Sequence, residues 1–206
     1  MTDLVLYTNP MSRGRIVRWM LEEAGAEYRT EILEYGTTMK APAYLAVNPM
    51  GKVPAIRHGD TVVTECAAIC AYLADAFPQA NLAPALKDRG SYYRWLFFAA
   101  GPLEAAIADR TLGVEVPADK QPMVGYGTYA HVMDALEKAV SDGRPYIAGD
   151  SFTAADVYIG SHISWGIQFG TMETRPAFEA YWKRLESRPA HLRATELDDA
   201  DMPKQA

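Results

Sequence analysis

The chain has 206 residues, enough for one large domain or two small ones with real cores. Apolar residues make up 49% and charged residues 22%, and a net charge of −6 leaves no basic footprint for nucleic acid. No apolar run approaches the roughly 18 residues needed to span a bilayer, which argues against a membrane partner. The start runs into Leu4–Tyr7 without a basic leader, so a cytoplasmic address is expected. The two cysteines, Cys66 and Cys70, lie four apart on one predicted helix. That spacing is neither a disulfide framework nor a zinc pattern, and no metal is expected.

Leu4–Tyr7 is a continuous apolar run and predicts a buried strand. A turn over Thr8–Ser12 follows. A helix then runs through Ile16, Trp19, Met20 and Leu21 to Ala24, with Gly25 suited to its end. Tyr28, Thr30 and Ile32 alternate as a second strand, so the opening unit reads as βαβ. Glu34–Pro49 is a loop with at most a short helix near Pro42–Ala46. Strands over Val53–Arg57 and Thr61–Thr64 flank a tight turn at Gly59-Asp60, and a helix from Thr64-Glu65-Cys66 to Phe77 closes a βαβαββα order.

Beyond Phe77 the alternation of strands disappears. Residues 78–86, with two prolines, read as a linker between a domain over 1–77 and an all-helical one over 87–206. Helices are predicted over Asp88–Leu112 with a kink at Pro102, Val124–Val140, Thr153–Phe169 and Pro176–Ser187, and the last ten residues are expected to fray. Thr153 and Asp156 have capping-box spacing, with Phe152 and Val157 placed as a hydrophobic staple, so Asp156 is assigned to structure rather than to catalysis.

Together these features resemble a cytosolic glutathione S-transferase. The carriers are "NPMGKVPAI", "TECAAICAYLAD" and "GDSFTAADV", in this order and spacing, over nearly the whole chain. The first helix, "MSRGRIVRWMLEE", is similar to bacterial and fungal branches that begin it with a Ser-Arg pair. The resemblance implies a thioredoxin-like α/β domain followed by an all-α domain, glutathione as cosubstrate, a hydrophobic electrophile as second substrate, and a homodimer.

It also implies a site. The Val53-Pro54 bond is expected to be cis, leaving the Val53 N–H and C=O to pair with the cysteinyl backbone of glutathione as a short added strand. Glu65 would face the γ-glutamyl ammonium group, and the free N–H groups of the helix start its carboxylate. Cys66 holds a position usually occupied by serine in the family, and a thiol is the weaker donor. Lys40 and Lys52 are the candidate cations for the glycine carboxylate.

The thiol-activating donor is expected between the first strand and first helix, where Ser12 and Asn9 both remain candidates. Tyr7 is expected to be buried instead, because Asn9 occupies the tyrosine slot before Arg13-Gly14-Arg15 that some classes use. The aromatic supply for the electrophile is Tyr92, Tyr93, Trp95, Phe97, Phe98, Trp165 and Phe169. Two alternatives to transfer onto carbon stay open. One is a glutathione-dependent disulfide or hydroperoxide reductase; the other is a glutathione-binding protein with little activity.

Overall fold

The structure, a computed structural model, describes residues 3–203. Its chain divides into two compact units, one running to Ala83 and resuming at Ser187, the other Pro84–Glu186.

The first unit is built on a four-stranded sheet of β1 (Leu4–Thr8), β2 (Arg29–Ile32), β3 (Ala55–His58) and β4 (Thr61–Thr64), in the order β2-β1-β3-β4. The β1–β2 pair is parallel, as the intervening helix α1 (Gly14–Ala24) requires, and the other two pairs are antiparallel. Strand β1 is buried at all five positions, which explains its unbroken apolar run. The short helix α2 (Pro42–Leu45) interrupts the loop before β3, and α3 (Cys66–Ala76) follows β4. Helix α1 buries Ile16, Val17, Trp19, Met20 and Leu21 and packs on α3, which buries Ile69, Cys70 and Leu73. Gly25 ends α1 with φ 62, a left-handed cap.

The chain's last helix corrects the expected organisation. Helix α9 (Pro189–Ala200) belongs to the first unit, packed along α1, and its residues 197–200 are helical rather than frayed. The final three residues of the predicted frayed tail lie outside the described residues. Charge explains the docking. Arg18 is 2% exposed, with Nε 2.9 Å from Asp198 Oδ1 and Nη2 2.6 Å from Asp201 Oδ2. Arg15 Nη2 meets Asp199 Oδ1 at 2.7 Å, and the His191 ring meets Trp19 edge-on at 4.8 Å. Burial pushes the Asp198 carboxyl up to about 6, against the pull of Arg18 and Arg15.

The second unit is helical throughout its regular elements. Helices α4 (Gly90–Phe98) and α5 (Glu104–Leu112) are joined by a π-helical turn over Ala99–Leu103 that contains Pro102, at the expected kink. Helix α6 (Tyr129–Val140) starts five residues later than its apolar pattern suggests. Thr128 caps it, its hydroxyl accepting from His131 N–H at 3.2 Å, and 118–123 form a separate 3₁₀ turn. Helices α7 (Ala154–Gln168) and α8 (Pro176–Lys183) complete the unit.

Candidate functional site

The loop before β3 is tied down from within. Asn48 Oδ1 accepts from Met50 N–H at 3.0 Å, and Gly51 N–H donates to Asn48 O at 2.8 Å. Gly51 has φ 58, and a Cβ there would lie 2.7 Å from Met39 O, so the turn admits no side chain. Lys40 Nζ donates to Met50 O and Gly51 O at 3.1 and 2.9 Å, which makes it a brace of this loop. Lys52 is exposed, and its ammonium group makes no bond to a described residue. The Val53-Pro54 bond is cis and Pro54 is buried. Val53 lies outside β3, and its N–H and C=O make no hydrogen bond to a described residue. Main-chain groups left without a partner beside a sheet are what an extended peptide can bind.

Glu65 comes directly after β4. It is exposed, its backbone is left-handed (φ 67, ψ 121), and its side chain makes no capping bond to α3. The opening turn of an 11-residue helix therefore has no carboxylate of its own at its positive end. Holding a non-glycine residue in this conformation costs on the order of 1 kcal/mol, a cost that sites more often carry than frameworks do. Cys66 is buried and its thiol lies 3.7 Å from Arg13 O, so the start of α3 touches the start of α1. Cys70 is fully buried, and burial raises its thiol well above the ordinary value, which agrees with a core role.

The β1–α1 turn brings Asn9 and Ser12 together. The Ser12 hydroxyl donates to Asn9 O at 2.7 Å and accepts from Gly14 N–H at 2.9 Å. The Asn9 amide is engaged on both sides: Nδ2 donates to Leu33 O at 2.8 Å, and Oδ1 accepts from Met11 N–H at 2.9 Å. Asn9 is 4% exposed and braces the turn against the segment after β2, whereas Ser12 is half-buried. Gly14 permits this compactness, since a Cβ there would fall 1.8 Å from Thr8 Oγ1. Tyr7 is buried and its phenol oxygen accepts from Arg57. Val53, Glu65, Cys66, Asn9 and Ser12 thus all stand on one unit. The residues that sequence reasoning did not assign here are Tyr44 and Asn48, both aimed at the main chain of the Val53 loop. Asn48 opens the "NPMGKVPAI" motif, but Tyr44 carries no local signal.

Two family models match the chain: the glutathione S-transferase N-terminal domain over residues 11–76 and the C-terminal domain over 117–189. Glutathione S-transferase 1 of Zea mays is 31% identical, covering 86% of this chain and 91% of its own. The chain belongs to the glutathione S-transferase family. Among solved members of the family, the glutathione transferase of Methylococcus capsulatus superposes with a TM-score of 0.79 at 27% identity, covering 96% of this chain and 99% of its own. A sphingomonad glutathione S-transferase solved with glutathione has a TM-score of 0.75 at 28% identity, covering 95% and 98%.

The helical unit of this glutathione S-transferase places its acidic and aromatic groups as follows. Asp156 is fully buried at the start of α7. Its carboxylate accepts from Thr153 N–H and the Thr153 hydroxyl, from Ile147 N–H at 2.8 Å, and from the Tyr181 hydroxyl at 2.6 Å. Burial raises this carboxyl above the usual range, against the lowering by those four donors, and the group is structural. Of the aromatic candidates, Tyr92 and Trp95 are core, Trp165 is half-buried, and Phe97 and Phe169 are exposed. A cavity of about 350 Å³ opens between α5, the following loop and the start of α6, lined by Asp109, Arg110, Tyr126 and Tyr129 among others, none of them in the predicted aromatic set. Among the described residues no cluster of three potential metal ligands occurs, and no helix is long and apolar enough to cross a membrane.

Proposed function

We propose that this glutathione transferase receives the tripeptide along the Val53 loop and activates its thiol from the β1–α1 turn. The Val53 N–H and C=O pair with the cysteinyl backbone. The γ-glutamyl carboxylate takes the open first turn of α3, and its ammonium group faces Glu65. Lys52 meets the glycine carboxylate, while Lys40 supports the same loop from behind.

A thiol of ordinary pKa, about 8.5, is only a few per cent ionised at neutral pH. Lowering it by about two units takes about 2.7 kcal/mol of differential stabilisation. One or two hydrogen bonds to the thiolate beside a helix start supply that amount. Ser12 is the residue assigned to it, because its hydroxyl needs only to turn from Asn9 O towards sulfur. Asn9 holds the turn in which Ser12 does this. The thiol proton leaves to solvent, the thiolate forms a C–S bond with a hydrophobic electrophile, and the electrophile's leaving group departs with the bonding pair.

The observation that supports the reading is the contact of Cys66 with Arg13 O, by which the start of α3 lies beside the β1–α1 turn. The same reading includes a cytoplasmic protein acting in detoxification, without metal. It also includes a homodimer, which exposed Tyr93 and Phe97 on one face of α4 support. Parallel assays with a chloro-aromatic compound, a hydroperoxide and a mixed disulfide test the reaction class. Turnover confined to the hydroperoxide or the disulfide would replace transfer to carbon with a reductase, and retention on glutathione without turnover would leave a binding protein.

A further inference from the structure

We infer that Tyr44 is a positioning residue for glutathione: its phenol holds the Lys52 carbonyl and so aims the Val53 N–H, at the other end of the same peptide unit, at the tripeptide. The inference rests on the reading that Val53 receives the glutathione backbone.

The Tyr44 hydroxyl donates to Lys52 O at 2.6 Å, and Asn48 Nδ2 donates to the same oxygen at 2.8 Å. Two donors on one carbonyl fix the rotation of the Lys52–Val53 peptide plane. Among the described residues only Val53-Pro54 is cis, so the Lys52–Val53 bond is trans, and in a planar trans unit C=O and N–H point in opposite directions. Drawing the oxygen towards Tyr44 therefore turns the Val53 N–H away from it. That N–H is the group without a partner among the described residues. On the loop's far side Lys40 closes the turn through Met50 O and Gly51 O, apart from the carbonyl that Tyr44 and Asn48 hold.

Tyr44 is a rigid support for this purpose. It is 4% exposed, its ring lies 5.5 Å from that of Tyr7 at 45°, and the Val53 side chain packs on the cluster that contains both. Its backbone is fixed as well, N–H donating to Ala41 O and C=O accepting from Val47 and Asn48 N–H. Burial pushes its phenol up to about 12, so it remains a protonated donor across the pH range in which a transferase works. Asn48 shares the carbonyl but also forms the turn itself, so Tyr44 is the residue whose hydroxyl can be removed without opening the loop.

The test compares Tyr44→Phe with Tyr28→Phe in the full-length protein. Tyr28 is a second partly buried tyrosine of the same unit, whose hydroxyl donates to Glu22 Oε1 at 2.7 Å, away from the Val53 loop. Steady-state rates with a chloro-aromatic substrate, calorimetric titration with glutathione, and Tm are measured for each. Tyr44→Phe is expected to raise KM and Kd for glutathione about five- to tenfold, with kcat at saturating glutathione within about twofold of wild type. Tyr28→Phe is expected to lower Tm and leave KM for glutathione unchanged. A Tyr44→Phe protein that loses Tm as Tyr28→Phe does, with an unchanged KM, overturns the positioning role. Glu65→Gln, run alongside, separates the levels. If it raises KM while Tyr44→Phe does not, only the inference about Tyr44 fails. If neither raises KM, the placement of glutathione at this loop fails with it.

Discussion

The thiol of Cys66 points at the main-chain oxygen of Arg13, 3.7 Å away, and by that contact the first turn of α3 leans on the first turn of α1. A thiol is a long, weak donor, and in the proposed site a hydroxyl at this position would bind the γ-glutamyl carboxylate more strongly. Cys66→Ser is therefore expected to lower KM for glutathione about fivefold, the equivalent of about 1 kcal/mol, with kcat little changed. Steady-state kinetics at varied glutathione check this; an unchanged KM would remove Cys66 from contact with the tripeptide.

Ser12 and Asn9 should separate cleanly by what they lose. Ser12→Ala is expected to reduce kcat/KM at neutral pH by ten- to a hundredfold and to move the pKa of the pH–rate profile up towards the ordinary thiol value of about 8.5. Asn9→Ala removes the bonds to Leu33 O and Met11 N–H and is expected to cost about 1–3 kcal/mol of stability, read as a lower denaturant midpoint. The assignment is reversed if Asn9→Ala abolishes turnover in a fully stable protein while Ser12→Ala leaves every rate intact.

Glu65 sets stability against binding. Glycine adopts a φ of 67 without the Cβ penalty, so Glu65→Gly is expected to gain up to about 1 kcal/mol from relief of strain, partly offset by the greater freedom of the unfolded chain. The same change removes the carboxylate proposed to face the γ-glutamyl ammonium group. An equal or higher Tm together with a KM for glutathione raised about tenfold is the expected result. A lower Tm with unaltered KM would make Glu65 a framework residue.

Asp198 should give the stability curve a recognisable slope. Its carboxyl is held at about 6 by burial, above its unfolded value of 3.8, so the folded state binds its proton more tightly. Stability from this group is fully present below pH 4 and is lost as pH rises through about 6, by on the order of 3 kcal/mol. Chemical denaturation of Asp198→Asn across this window should lack that component of the slope, and an identical slope in both proteins would contradict it.

Local chemistry made much of this legible beforehand. Val53-Pro54, the turn before β4 and the Thr153–Asp156 capping box each declare themselves within a few residues, and the apolar run of β1 needs no partner to be read as buried. What stayed hidden depends on distant partners. Asn9 bonds to Leu33, 24 residues on, and nothing near Asn9 distinguishes a brace from a donor to a ligand. Helix α9 buries only Ala194 and Asp198, so it has no apolar stripe to announce where it docks; its address is written in Arg15, Arg18 and Glu23 on α1. Tyr44 was missed for a similar reason, since a tyrosine in a short helix beside a loop looks like any core aromatic until its hydroxyl is seen on Lys52 O.

The return of α9 to α1 has a consequence for how the protein is made. Arg18 and Asp201 are joined across 183 residues, so a nascent chain has synthesised the whole sheet, α3 and every helix of the second unit before the carboxylates for Arg18 leave the ribosome. The unit that carries the candidate site is the first to be begun and the last to be finished.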